Sequence, residues 1–216
     1  VDIATGVPAN VGAALGSFGL DSVANDIAAY GGMTVGENFS SIGGLEVSGM
    51  TIGASEVNAF IGYGSPDFST DLRTQEGLYG LGLTNLDLGV GIFKPTIPIE
   101  GLPSFTSVKA TAETLTTVGF GDWFQVEADG ITVNVNSGDE WVSGIGPAVI
   151  DFESSFPASE SPDGIAGFAV PTGGDPVYLD FDGNERIGVT IEQAEISILQ
   201  FVHLSGSFAF EKGPTY

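Results

Sequence analysis

The run "ISILQFVHLSGSFAFEK" at residues 196–212 constrains the chain more than any other segment. Apolar side chains stand at nearly every even position, at Ile196, Ile198, Val202, Leu204, Phe208 and Phe210. Ser197, His203, Ser205, Ser207 and Glu211 occupy the odd side, with Leu199, Phe201 and Ala209 as exceptions. A period of two is that of a β-strand. Read as one strand, the segment spans roughly 50 Å, whereas a usual strand has about five or six residues. A strand of that length needs equally long partners.

Such partners are present. "IGGLEVSGMTIGASEVNAFIGYG" and "LYGLGLTNLDLGVGIFK" alternate in the same way, with changes of parity near the "GAS" step and at Thr84-Asn85. A change of parity moves the apolar set to the other face unless a bulge or bend intervenes. Residues 94–106 hold three prolines and read as a connection. "SVKATAETLTTVGF" and "WFQVEADGITVNVNSG" supply further alternation, with Asp129-Gly130 as a two-residue turn candidate. Residues 137–176 read as loops around two buried phrases, "PAVIDFESSF" and "GIAGFAV". In "VYLDFDGNERIGVTI", Val177, Leu179 and Phe181 face Ile187, Val189 and Ile191 across "DGNE", the pattern of a hairpin.

The expected fold is therefore mainly β: an elongated antiparallel sandwich or flattened barrel with long strands. The N-terminal residues differ. Val11, Leu15 and Phe18 share one helical face, and residues 21–30 read as a second short helix. This divides the chain into a helical segment, 1–36, packing on itself or on a neighbour, and an antiparallel β domain, 37–216.

Charge excludes several partners. Five Lys and Arg stand against 28 Asp and Glu, a net charge of −23. Nucleic acid is not expected to bind, because phosphate contacts need clustered cations. Divalent cations, salt or a basic partner suit this surface better, and self-repulsion should make any assembly of the chain salt-dependent. No stretch reaches 18 apolar residues, so no membrane-spanning helix is expected. With no Cys, disulfides, Cys–zinc sites and thiol catalysis are excluded together.

Candidate sites are few. Asp180, Asp182 and Asn184 have the 1, 3, 5 spacing of oxygen ligands in a calcium loop. Glycine falls at the fourth position of that loop instead of the sixth, and Glu192 comes one position late. A hairpin accounts for the same residues without an ion, and Ca²⁺ is the one cofactor left open. The single histidine, His203, has no nucleophile motif around it, and near-pairs of acids such as Glu192/Glu195 arise by chance among 28. No enzyme is expected. Trp123 and Trp141 would form the platform of a carbohydrate- or surface-binding module, or else pack in the sheet core.

Three phrases, "ASEVNAFIGYG" (54–64), "GPAVIDFESSFP" (146–157) and "LDFDGNERIGVTIEQAEISILQFVHLSGSFAFEKGP" (179–214), together with "GLGLTNLDLGVGIFKP" (80–95), carry a resemblance. They resemble the tandem repeats of very large, repetitive, secreted bacterial surface proteins described as adhesin-like or haemagglutinin-like, over roughly residues 40–216. The resemblance implies an extracellular or cell-surface structural module, one repeat unit of a longer chain, with copies of itself as partners and no catalytic residues. The expected function is end-to-end assembly into a filament or surface layer. Phe201, Phe208 and Phe210 are the expected assembly interface, covered in part by the next copy.

Overall fold

The computed structural model describes residues 1–7, 25–27, 29, 33–97, 101–141, 146–199 and 201–212. The chain is mainly β and antiparallel. In order, its strands are β1 (Asp2–Ala4), β2 (Thr34–Val35), β3 (Ser41–Gly43), β4 (Val47–Tyr63), β5 (Tyr79–Pro95), β6 (Phe105–Val118), β7 (Phe124–Gly138), β8 (Val149–Asp151), β9 (Phe168–Val170), β10 (Val177–Leu179), β11 (Arg186–Ile198) and β12 (Val202–Glu211). Six of them form one large sheet in the order β12-β11-β7-β6-β5-β4, and every neighbouring pair is antiparallel. The sheet does not close into a barrel, which leaves β4 and β12 as its edges.

The second layer is small. A four-stranded sheet, β2-β3-β1-β8, and the hairpin β9–β10 pack with the one-turn helix Phe152–Ser155 over one end of the large sheet. Ile3, Ile42, Ile150, Phe152, Val170 and Leu179 are buried there against Phe93 and Phe105 of the large sheet. The Phe93 ring lies 5.9 Å from Phe152 and 5.8 Å from Phe168, within the range of favourable aromatic contact. The expected sandwich is thus an unequal one, a long sheet with a short cover.

The described residues of the N-terminal segment belong to this cover. Residues 2–4 form a strand held between β3 and β8, so the segment is not helical from its start. Residues 25–27 and 29 of the second expected helix are helical, and Ile27 is fully buried in the core with Ile3 and Ile150. That piece packs on its own chain. The first expected helix, around Val11, Leu15 and Phe18, lies outside the described residues.

Three local expectations are corrected. The 196–212 run is not one strand: Ile198 pairs with Val202, and Leu199, at φ 50°, turns the chain back between β11 and β12. Asp129-Gly130 is no turn, because β7 runs through it with ladders to β6 and β11 on either side. Gly130 takes φ 62° inside the strand. Val177–Leu179 pairs with β9, while β11 pairs with β7, so the expected hairpin across "DGNE" does not form.

The parity changes near the "GAS" step and at Thr84-Asn85 do mark real irregularities. Glu56 and Asn85 have φ of 54° and 51°, in line with the kink at Gly130. Side chains bridge this line from strand to strand: Asp87 Oδ1 accepts from the Glu56 amide, and Asn58 Oδ1 from the Asn85 amide, both at 2.9 Å.

Candidate functional site

The two faces of the large sheet differ in an unusual direction. Residues directly opposite on neighbouring strands share a face, so the register sorts side chains into rows. One row toward the covered end reads Gly53, Gly89, Lys109, Asn134, Gly188, Glu211, and the next reads Gly91, Ser107, Asn136, Arg186. This face, glycine-rich and polar up to the row of Phe93 and Phe105 that closes the core, receives the second layer. A side chain at Gly53 would collide with the Pro171 carbonyl, and one at Gly138 with the Ala148 carbonyl, so glycine there sets how closely the layers approach.

Two polar side chains of this face, Asn136 and Lys109, bond across to the residues that cover it. Asn136 is fully buried. Its amide nitrogen donates to the Ile150 carbonyl at 2.9 Å and the Asn184 carbonyl at 3.3 Å, and its oxygen accepts from Ser107 Oγ at 2.9 Å. Lys109 donates to both Asp180 carboxylate oxygens at 2.7 Å.

The opposite face is apolar. Its rows read Ile52, Val90, Val108, Val135, Ile187; then Ala54, Leu88, Ala110, Val133, Val189, Phe210; then Ala112, Ile131, Ile191, Phe208. No charged side chain interrupts them. Of these residues only Ala112 is buried, while Ile52 is 52% exposed and Phe210 67%. The flanking Met50 is also exposed. Among the described residues no element packs on these rows.

Phe208 and Phe210 therefore lie on the bare face at the β12 edge. Phe201 stands apart from them at the β11–β12 turn, 90% exposed. The rows across β4–β7 were missed in sequence, although the alternating runs held the signal. Their register was the missing fact.

Beyond the kink line, residues 65–78 strap the other end of the sheet. Leu72 and Leu78 are buried with Val118 against Phe60 and Phe68. Arg73 ties the strap down by pairing with Asp71 (2.8 Å) and with Glu127 of β7 (2.5 Å). The hydrogen bonds from Arg73 hold the Asp71 carboxyl below its usual range, and Asp71 in turn raises the guanidinium pKa further. A cleft of about 830 Å³ opens beside the strap, where Gln75, Glu195 and His203 meet Arg73 and Glu127. His203 Nδ1 lies 3.0 Å from Ser197 Oγ. No nucleophile motif accompanies that pair.

The remaining candidates are scattered. Asp180 meets Lys109; Asp182 bridges to Asp151 through its backbone; Asn184 offers its carbonyl to Asn136. Among the described residues no group of three or more His, Asp or Glu is placed to hold a metal ion. Trp123 and Trp141 lie beyond opposite ends of β7. Trp141 packs edge-on against Phe39, 5.0 Å between centroids, beside the main core. Trp123 is half exposed, 5.5 Å from Phe120 and 5.9 Å from Phe124. The two tryptophans form no common platform.

Comparison of the chain with protein-family models, with curated proteins and with solved structures finds no match.

Proposed function

We propose that this chain is an extracellular structural module that joins copies of itself end to end, in a filament or surface layer, and carries out no catalysis. One observation supports this above the others: the large sheet is open, and its edges are long strands of opposite direction. Counting across β12-β11-β7-β6-β5-β4, the two edges are antiparallel to one another. A second copy, shifted sideways without rotation, would lay its β4 antiparallel to β12 and continue the alternation unchanged. Such a contact is heterologous and non-closing, so it propagates. Exposed edge strands add strands in this way when nothing blocks them.

The exposed Phe201 at the β11–β12 turn and the resemblance to surface-protein repeats support the same reading. Net charge −23 opposes it at low ionic strength, and salt or Ca²⁺ should relieve the repulsion.

Negative-stain electron microscopy of the purified chain, with Ca²⁺ and with EDTA, tests the reading. Rods or filaments are expected, shortened by Ser207→Pro. Ser207 lies at the register shift of β12, outside the paired residues, so proline there leaves the internal ladder largely intact. Isolated particles at high concentration in both buffers would refute end-to-end assembly.

A further inference from the structure

We propose that the bare apolar face of the large sheet is a sheet-to-sheet contact for a second copy of this chain. This deepens the self-assembly reading and rests on it for the identity of the partner. The edges extend a sheet sideways; this face doubles it in thickness.

The row through Ala110 and Val133 crosses all six strands, and the rows on either side of it cross five and four. At about 4.8 Å between strands and about 7 Å between rows, they and the flanking Met50 and Ile92 cover roughly 600 Å². Two copies face to face would remove on the order of 1,200 Å² from water, the lower bound of a standard stable interface. Exposed apolar patches on monomers are usually no larger than a few hundred Å².

Shape and charge select the occupant. A twisted aliphatic sheet face packs best on another of like twist, about 10 Å away and within about 30° of parallel. A second copy supplies that face. An anionic lipid surface is the poorer fit, because the chain has 28 acids and only five Lys and Arg. For two copies so acidic, these rows carry no Asp or Glu and let the sheets meet without opposing carboxylates at the centre of the contact. Of the expected interface residues, Phe208 and Phe210 belong to this contact and Phe201 does not.

The test uses the absence of cysteine from the sequence. Val133→Cys places one small, apolar thiol at the centre of the face, and Thr132→Cys places one on the side of the second layer. The rate of alkylation by iodoacetamide is measured against protein concentration in 0.5 M NaCl, alongside sedimentation velocity. The expected result is at least a tenfold slowing in Val133→Cys as dimers form, with no concentration dependence in Thr132→Cys. In parallel, Val133→Lys should weaken dimerisation about 100-fold or more while far-UV circular dichroism stays unchanged.

Assembly of Val133→Cys with its thiol alkylated at a constant rate would overturn the face contact and leave end-to-end joining standing. Dimers that protect that thiol but never form filaments would uphold the face contact and refute the end-to-end reading. A chain monomeric throughout would overturn both.

Discussion

Lys109 of β6 reaches across the layer boundary to Asp180, its ammonium 2.7 Å from each carboxylate oxygen. It is the one cation in the row of Gly53, Gly89, Asn134, Gly188 and Glu211, and it draws the segment after β10 onto the sheet. Asp180 shares a recess with Glu153 and Asp182. Lys109→Met leaves three acids there facing one another, with Arg186 as the remaining cation of the recess. The expected loss, discounted for the partial exposure of both partners, is roughly 1 kcal/mol. Urea unfolding at low and high salt measures it, and the loss should shrink as salt rises.

Asn136 joins three elements by hydrogen bonds from a fully buried site. Asn136→Leu keeps the branched shape with greater bulk and strips partners from Ser107 and from the carbonyls of Ile150 and Asn184. The expected cost is about 2–3 kcal/mol. Asn136→Asp should fare no better at neutral pH, since a carboxylate cannot donate to those carbonyls. A fall in the urea midpoint at unchanged m-value would confirm both.

Gly53 marks the closest approach of β4 to the segment after β9, and an added methyl would meet the Pro171 carbonyl, which cannot rotate away. Gly53→Ala is expected to destabilise by about 1–3 kcal/mol through overpacking. The hairpin β9–β10 should become more sensitive to proteolysis. Gly77→Ala is a useful contrast: its φ of 78° strains the new side chain, but the space around it is open. Its effect should stay within the strap.

The strap carries a pH dependence. Asp71 has a folded-state pKa held below its unfolded value by hydrogen bonds from Arg73. The stabilisation is therefore present above the unfolded carboxylate value, near 4, and is lost as pH falls through the lower folded value. Hydrogen exchange at the Arg73 amide, which donates to Asp71 Oδ1 at 2.9 Å, should lose protection over that acid window. In Asp71→Asn the transition should be absent. A constant protection factor down to pH 2 would contradict the assignment.

The sequence made the long strands legible because alternation over a dozen residues has few other solutions. It also flagged the sites of irregularity at Asn85 and near Glu56. It misplaced the turns. Leu199 adopts φ 50° without a glycine or asparagine beside it, while Asp129-Gly130 has turn chemistry and is held straight by ladders on both flanks. Tertiary pairing overrode local preference in each case. The candidate surface was legible only in outline. Phe208 and Phe210 were visible on one strand, but Val90, Val108 and Val133 join them only once the register is known. Hydropathy also pointed the wrong way, because an alternating apolar set ordinarily marks the covered face. Here small side chains decide that instead: glycines at 53, 89, 91 and 138 let the second layer approach the polar side.

That inversion separates two kinds of mutational sensitivity within single strands. Along β6, Ser107 lies buried on the covered side and Lys109 bonds to the cover, while Val108 and Ala110 look away from it. Substitutions at alternate positions should then sort into those that shift the melting temperature of one molecule and those that alter how many molecules travel together. Neighbouring codons would answer to different selective pressures, and the surface could drift in its partner preference without eroding the fold that presents it.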